Sequence, residues 1–517
     1  MHTTTGEKRE NIQNSISRGV FVALSILLQV FWIVGFAMYM AKYYAVISLA
    51  ASLLSLLIVL RIYGEHINSA YKVSWIILIM AFPIFGLCLF LLFGREGSAA
   101  LSRRRFARVK AALAGCLVQD PAAVEALQHK DKGLANQSHY LGAYAGFPVY
   151  ADTDVTYYGD TSAALAAQKA DLETAQHFIF MEYHAIQDST AWHGIEDILV
   201  CKAKAGVDVR VFYDDMGSIG FVSKPFVRRL QSEGIQCRVF NPLLPVLNVF
   251  MNNRDHRKIT VIDGRVGYTG GYNLADEYFN LTRPYGRWKD SGIRLAGGAV
   301  RSLTVIFLEM WAATQKEPLD PAPFLPEVSH SCAEPGCFVQ PYSDSPLDEE
   351  GTGENAYMNL IKNARRSVYI TTPYLIISDE MHRELTLAAK RGVDVRIVTP
   401  GIPDKKLIYK VTRSYYAGLA QRGVRIYEYT PGFLHAKQFV CDDEVAIVGT
   451  INMDFRSLYL HFENACWFCG CHAVQDVRQD FEDLFAASRE VTADYSGKRS
   501  LALRGMQCIL RLFSPLM

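Results

Sequence analysis

Two eight-residue strings in this sequence carry a histidine, a lysine and an aspartate at matching positions. HRKITVID supplies His256, Lys258 and Asp263, and HAKQFVCD supplies His435, Lys437 and Asp442. Each runs on to a turn of small residues and an asparagine, GGYN with Gly270, Gly271 and Asn273, and GTIN with Gly449, Thr450 and Asn452. In both copies the histidine precedes the asparagine by 17 positions. ITVI and QFV are apolar and β-prone, and in a strand residues two apart project from one face, so each His and its Lys point together. The turn then returns the chain and brings an amide donor to the same place. Each copy supplies an imidazole, an ammonium and an amide, and two copies facing each other about a pseudo-twofold axis would surround one phosphodiester. The motif counts Asp263 and Asp442 with the catalytic set. Five positions beyond the lysine, however, they are expected to have left the active face and to make structural hydrogen bonds near the turn.

A duplicated framework positions these strings. HFIFMEYHA (177–185) is strand-like and is followed by a helical segment ending in KAGVDVRVF (204–212), and RSVYITTPYL (366–375) is followed by one ending in KRGVDVRIV (390–398). In each GVDVR the glycine stops a helix and alternating valines begin a buried strand. Repetition of strand, helix and strand ahead of each motif marks an internal duplication of an α/β domain with mixed or parallel sheets. Glu182, Tyr183 and Tyr374, at the ends of the repeated strands, are expected to line the pocket.

The N-terminal part has a different character. Gly19 to Met40 is uncharged and long enough to span a bilayer; Tyr43 to Leu60 and Val73 to Gly94, which contains Pro83 and Gly86, are further apolar runs. A long polar start and these later runs argue against a cleaved signal peptide. Arg95, Arg103, Arg104, Arg105, Arg108 and Lys110 against Glu96 place the downstream chain in the cytoplasm by the positive-inside rule, within reach of anionic headgroups. Three crossings would put Lys8, Arg9 and Arg18 outside, so a tight hairpin, or two crossings with one run lying in the interface, stays open. The sequence divides into a tail (1–18), a transmembrane region of two or three helices (19–94), a basic linker (95–139), two α/β domains (140–325 and 326–500) and a C-terminal amphipathic segment (501–517). That last segment sets Leu503, Met506, Leu510 and Phe513 on one side, with Arg504 and Arg511 elsewhere. The loop NPLLPVLNVFMNN (241–253) is apolar enough to admit acyl chains.

With 53 Lys and Arg against 52 Asp and Glu, no bulk basicity points to a nucleic-acid partner. The 11 cysteines are scattered, which suits a reducing compartment rather than a disulfide scaffold. Cys466, Cys469, Cys471 and His472 crowd into an apolar, strand-like stretch, whereas tetrahedral zinc sites pair two separated ligand clusters, so no metal is expected.

Taken together, the paired motifs, NRDHRK, GGYNLADEY, TPYL, FLHAK, the apolar WIILIMAFPIFGLCLFLLFG and the final LFSPLM make the chain resemble the bacterial cardiolipin synthases of the phospholipase D superfamily over nearly its whole length. The resemblance implies two tandem phospholipase D-like domains behind transmembrane helices. It implies His256 as nucleophile, forming a phosphatidyl-histidine, and His435 as general acid and base, a division that imidazole allows because its ordinary pKa lies near neutrality. Lys258, Lys437, Asn273 and Asn452 would stabilise the phosphoryl oxygens, and Asp290 in RWKD and Glu463 in HFEN would fix the second nitrogen of each histidine. The implied reaction joins two phosphatidylglycerol molecules into cardiolipin and glycerol without metal or cofactor. A hydrolase using water, another phosphatidyltransferase, a nucleic-acid phosphodiesterase and an inactive membrane scaffold are the competing functions; oligomeric state is left open.

Overall fold

A computed structural model describes residues 20, 23–36, 44–65, 68–93, 99–242, 253–315, 318–348, 350–497 and 500–514. The tail 1–18 and most of the 241–253 loop lie outside the described residues, and of the first apolar run the structure describes a helix over Ala23–Phe36.

Sixteen strands are described. In the first half they are β1 (Thr153–Tyr158), β2 (Phe178–Tyr183), β3 (Asp208–Asp214), β4 (Gln236–Phe240), β5 (Arg254–Asp255), β6 (Lys258–Ile262), β7 (Val266–Gly270) and β8 (Gly292–Gly297). In the second half they are β9 (Phe338–Asp344), β10 (Ser367–Thr371), β11 (Asp394–Pro400), β12 (Arg425–Tyr429), β13 (Gln438–Cys441), β14 (Val445–Gly449), β15 (His461–Cys469) and β16 (Ser488–Glu490). One sheet has the order β1-β8-β7-β6-β2-β3-β4; the other has β9-β15-β14-β13-β10-β11-β12, with β16 added beyond β12 and β5 beside β15. The two orders match strand for strand, which is the duplication in three dimensions. In each, β2-β3-β4 or β10-β11-β12 run parallel through helical crossovers, and the motif strand, β6 or β13, pairs antiparallel with the first of them. Gly206 and Gly392 end the crossover helices at φ +91° and +94°, where a side chain would be strained, so the expected helix stops are present.

The helix Val300–Ala313 is buried on nearly every side, packing on β6 of one sheet and β9 of the other. The strand contacts also cross between halves: β5 runs parallel to β15, with Arg254 opposite His461, and Lys289 bridges to Leu434. These crossings fix the relative placement of the two motifs.

The stretch expected as a basic linker is helical, over Ala99–Leu113, Pro121–Lys130 and Lys132–Ala143. Leu127 on the second of these helices and Leu134 and Leu141 on the third are buried against the core, which is why the stretch packs instead of trailing. At the N-terminus the helix Tyr44–Gly64 carries Leu49, Leu53, Leu57 and Leu60 exposed, and its Val46–Gly64 portion is, among the described residues, the one helix long and apolar enough to cross a membrane. The run Val73–Gly94, expected as one span, is divided between helices Ser69–Ala81 and Pro83–Phe93. The Pro83 ring and its missing N–H break the ladder there. The C-terminal helix Leu501–Phe513 lies between the helix Lys406–Ala420 and Ser69–Ala81, with Ser74 donating to the Leu512 carbonyl at 2.6 Å. Met506 and Ile509 remain exposed on it.

Candidate active site

His256 sits between β5 and β6, and its N–H donates to the Phe462 carbonyl across the halves at 2.9 Å. Strand alternation sends the intervening Arg257 the other way, over the Phe462 ring, and returns Lys258 to the side of His256. The second copy repeats this: the N–H of His435 donates to the Lys289 carbonyl at 2.7 Å, and Lys437 lies behind it. Each lysine ammonium donates to the carbonyl of its own histidine, and Lys437 Nζ also lies against the His435 ring, 2.7 Å from Nδ1 and 3.0 Å from Nε2. Both histidines and both asparagines line a single cavity of about 430 Å³.

The carboxylates cross between halves. His256 Nδ1 lies 2.9 Å from each oxygen of Glu463, on β15 of the second sheet, whereas His435 Nδ1 lies 2.7 Å from Asp290 Oδ2, just before β8 of the first. A carboxylate on Nδ1 keeps the ring proton there and turns Nε2 toward the cavity as a lone pair. Glu463 is itself held by the Thr450 hydroxyl at 2.5 Å and by Ser457. Asp290 accepts from its neighbour Ser291 N–H at 2.9 Å. These carboxylates explain why one copy reads GG and the other GT. A Cβ on Gly271 would stand 2.0 Å from Asp290 Oδ1, so glycine makes room for one carboxylate where Thr450 hydrogen-bonds the other.

Asn273 is fixed by the Ala185 N–H, which donates to its Oδ1 at 3.0 Å, and its amide donates to Tyr278 Oη at 2.8 Å. Asn452 carries a buried Oδ1 without a hydrogen-bond partner among the described residues. Asp263 and Asp442 stand outside the cavity, so counting them with the catalytic set is corrected. Asp263 accepts from the N–H groups of Gln176, His177 and Phe178 at 2.7–2.8 Å, and Asp442 from those of Arg365, Arg366 and Ser367 at 2.6–2.9 Å. They tie each motif strand's exit to the entrance of the neighbouring strand. Asp263→Ala and Asp442→Ala are each expected to lower stability by about 1–3 kcal/mol in denaturant titrations while leaving turnover per folded molecule nearly unchanged.

Tyr374 lines the cavity and donates to Asp404 at 2.5 Å, as expected of a strand-end residue. Glu182 and Tyr183 do not. Glu182 is fully buried 3.6 Å from Arg257, and Tyr183 bonds Gln168 and Thr260 within the first domain's core. Two cavity histidines went unnoticed in the sequence. His184 follows the repeated strand and its Nδ1 lies 2.7 Å from the Asp255 carbonyl; its ring stands 4.9 Å from that of His256. His461 shares a face with Glu463, two positions on along β15, a spacing that could have revealed it.

Burial dominates the electrostatics. It lowers His256 well below the ordinary histidine value, helped by the charges of Lys258 and Lys437, and brings His435 to about 4 with Lys437 adding to the effect. Burial likewise depresses Lys258 to about 8 and Lys437 to about 7, against the pull of neighbouring carboxylates. Asp290 is held below its ordinary value: burial pushes it up, but the charges of His435 and Lys437 outweigh that. A bound anion would favour the protonated forms of both lysines, so binding takes up protons wherever the free site lacks them. Dimethyl phosphate, whose charge is constant over the range, should therefore bind progressively tighter from pH 9 to pH 6.5, by up to about a hundredfold per unit above pH 8, where both lysines take up protons, and up to about tenfold per unit between pH 8 and 7, as calorimetry can measure.

Two sheets of one strand order, with a paired His and Lys apparatus around a single cavity, define a phospholipase D-like protein. The family model "Cardiolipin synthase, PLD-like domain" matches residues 169–311 and 357–485, and "Phospholipase_D-nuclease N-terminal" matches residues 50–95. The chain belongs to the cardiolipin synthase family. It is 40% identical over 460 residues to an uncharacterized protein of Streptococcus mutans, covering 89% of this chain and 99% of that one. It is 35% identical to cardiolipin synthase 2 of Bacillus cereus, over 88% of each chain, and 33% identical to cardiolipin synthase of Staphylococcus aureus, over 91% of this chain and 96% of that one. Among solved structures, phosphatidylserine synthase of Haemophilus influenzae shares the fold with a TM-score of 0.57 at 12% identity, covering 75% of this chain and 99% of that one.

Proposed function

We propose that this protein is a membrane-associated cardiolipin synthase that transfers a phosphatidyl group from one phosphatidylglycerol to another and releases glycerol. The observation that carries this reading is the crossed pair of histidine–carboxylate contacts around one cavity, in a chain whose curated relatives are named cardiolipin synthases. Nε2 of His256 attacks phosphorus, the bond from phosphorus to the glycerol oxygen breaks, and His435 gives that oxygen its proton. The headgroup hydroxyl of a second phosphatidylglycerol then loses its proton to His435 and attacks the phosphatidyl-histidine, restoring His256. One phosphodiester replaces another, so no nucleotide is consumed. His435 must be protonated for the first step, and the arriving phosphate anion supplies the field that raises its depressed pKa. Lys258 and Lys437 offset charge on the phosphoryl oxygens, and the Asn273 and Asn452 amides help to position them.

Asp290 and Glu463 act by orienting the histidines. The soluble part is read as two phospholipase D-like domains, 140–325 and 326–500, on the cytoplasmic side. The apolar N-terminal helices hold the cavity beside the lipid, with two crossings favoured by the basic residues at both ends of that region. Purified protein in detergent, given phosphatidylglycerol alone, is expected to yield cardiolipin and free glycerol by mass spectrometry. Phosphatidic acid without cardiolipin would instead identify a hydrolase using water as acceptor.

A further inference from the structure

We infer that His256, His461 and Glu463 form an inhibitory site for a divalent transition-metal ion of the Zn²⁺ class. One ligand atom from each of the three lies within 4.8 Å of the others. Glu463 Oε1 stands 2.9 Å from His256 Nδ1 and 3.7 Å from His461 Nδ1. Donors roughly 2.0–2.2 Å from one tetrahedral ion lie about 3.3 Å apart, between those two separations. His461 is 12% exposed, and among the described residues neither of its ring nitrogens has a partner at hydrogen-bond distance, Glu463 Oε1 lying 3.7 Å from Nδ1, an unusual state for a largely buried imidazole.

Around His435 and Asp290 no such trio stands among the described residues. Two positions before Asp290, where His461 stands relative to Glu463, the chain carries Trp288, whose ring packs 5.3 Å from His435. The site is therefore confined to one of two otherwise matching histidines, the one read as the nucleophile. A metal bound to Nδ1 of His256 takes the place of the proton shared with Glu463, and the neutral ring then holds that proton on Nε2. No lone pair remains to attack phosphorus. The charges of Lys258 and Lys437 oppose a cation here and weaken its binding.

The inhibitory effect rests on the proposed function, but binding does not, so both are measured on the full-length protein in detergent. Titration with Co²⁺ is expected to give one equivalent with a tetrahedral visible spectrum and no thiolate charge-transfer band, and calorimetry with Zn²⁺ the same stoichiometry. His461→Asn should weaken both by at least about tenfold, and His461→Gln repeats the test should the asparagine variant fold poorly. Zn²⁺ should inhibit cardiolipin formation reversibly to chelator, with the half-inhibiting concentration shifted by the same factor when each variant is compared with its own metal-free rate. Absence of a tetrahedral Co²⁺ spectrum in the unaltered protein, thiolate bands, or undiminished binding by the His461 variants would overturn the site. Binding as described in a protein that makes no cardiolipin would leave the site standing and reject the catalytic reading instead.

Discussion

Alanine at either His256 or His435 is expected to lower cardiolipin formation by at least about 10⁴-fold, and the double substitution to lower it little further. Each histidine lines the same cavity, and each is presented by a motif whose backbone is anchored in the opposite half. If the two halves held independent sites, each single variant would keep about half of the activity and only the double variant would be inactive. With a shared site, losing the nucleophile prevents the intermediate, and losing the acid leaves an alkoxide to depart unprotonated. Both variants should remain in the membrane fraction, since neither side chain touches the apolar N-terminal helices, although each leaves a buried carboxylate without its imidazole partner. The sign is definite: His435 is depressed from about 6.5 to about 4, so its contribution is present above pH 6.5 and is lost as pH falls toward 4. The variant should therefore lose less stability than the parent over that window. Product analysis with labelled phosphatidylglycerol measures the first claim, and substantial activity in either single variant would contradict the shared site.

Local periodicity made part of this site legible in the sequence. Residues two apart on a strand share a face, which placed His256 with Lys258 and His435 with Lys437. A position five further on, past the strand end, correctly took Asp263 and Asp442 away from the chemistry and into backbone hydrogen bonds. The duplicated GVDVR forecast two matching sheets. What stayed hidden depends on contacts between distant residues. Asp290 and Glu463 stood out as carboxylates following each motif, yet nothing local says that Glu463 reaches His256, 207 residues away, and Asp290 reaches His435, 145 away. Glu182 and Tyr183 were misplaced for a related reason. They end a strand pointing at the site, but burial in the domain core, against Arg257 and Gln168, decides where their side chains lie. His461 is legible in the sequence, since its spacing from Glu463 puts both on one face of a strand. In the apolar N-terminus, hydropathy found the runs, while Pro83 divided the last of them at a point its own chemistry marks.

The crossed carboxylates lead to the second large effect, in which the identity of the leaving group separates the two halves of the apparatus. Glu463→Gln and Asp290→Asn should each reduce transfer from phosphatidylglycerol by about 10²–10⁴-fold, because an amide can present either a donor or an acceptor and no longer enforces the tautomer that frees Nε2. Gln at 463 also unsettles the Thr450 and Ser457 hydroxyls, which now donate to a carboxylate, so its effect should be the larger of the two. A donor lipid carrying p-nitrophenol in place of glycerol changes the balance. Nitrophenolate leaves without a proton, so formation of the phosphatidyl-histidine no longer needs an acid. His435→Ala and Asp290→Asn should then recover a rapid burst of nitrophenol, one equivalent per enzyme, because attack by His256 is intact and only transfer of the phosphatidyl group from His256 to the acceptor is slow. His256→Ala and Glu463→Gln should show no such burst. The pairing matters because it runs against chain order: Asp290 lies nearer in sequence to His256, yet it should behave like His435. Were the carboxylates to serve the histidine of their own half, Asp290→Asn would lose the burst and Glu463→Gln would keep it. The same geometry explains why either half expressed alone should be inactive even if it folds, since each would present a histidine whose orienting carboxylate belongs to the missing half.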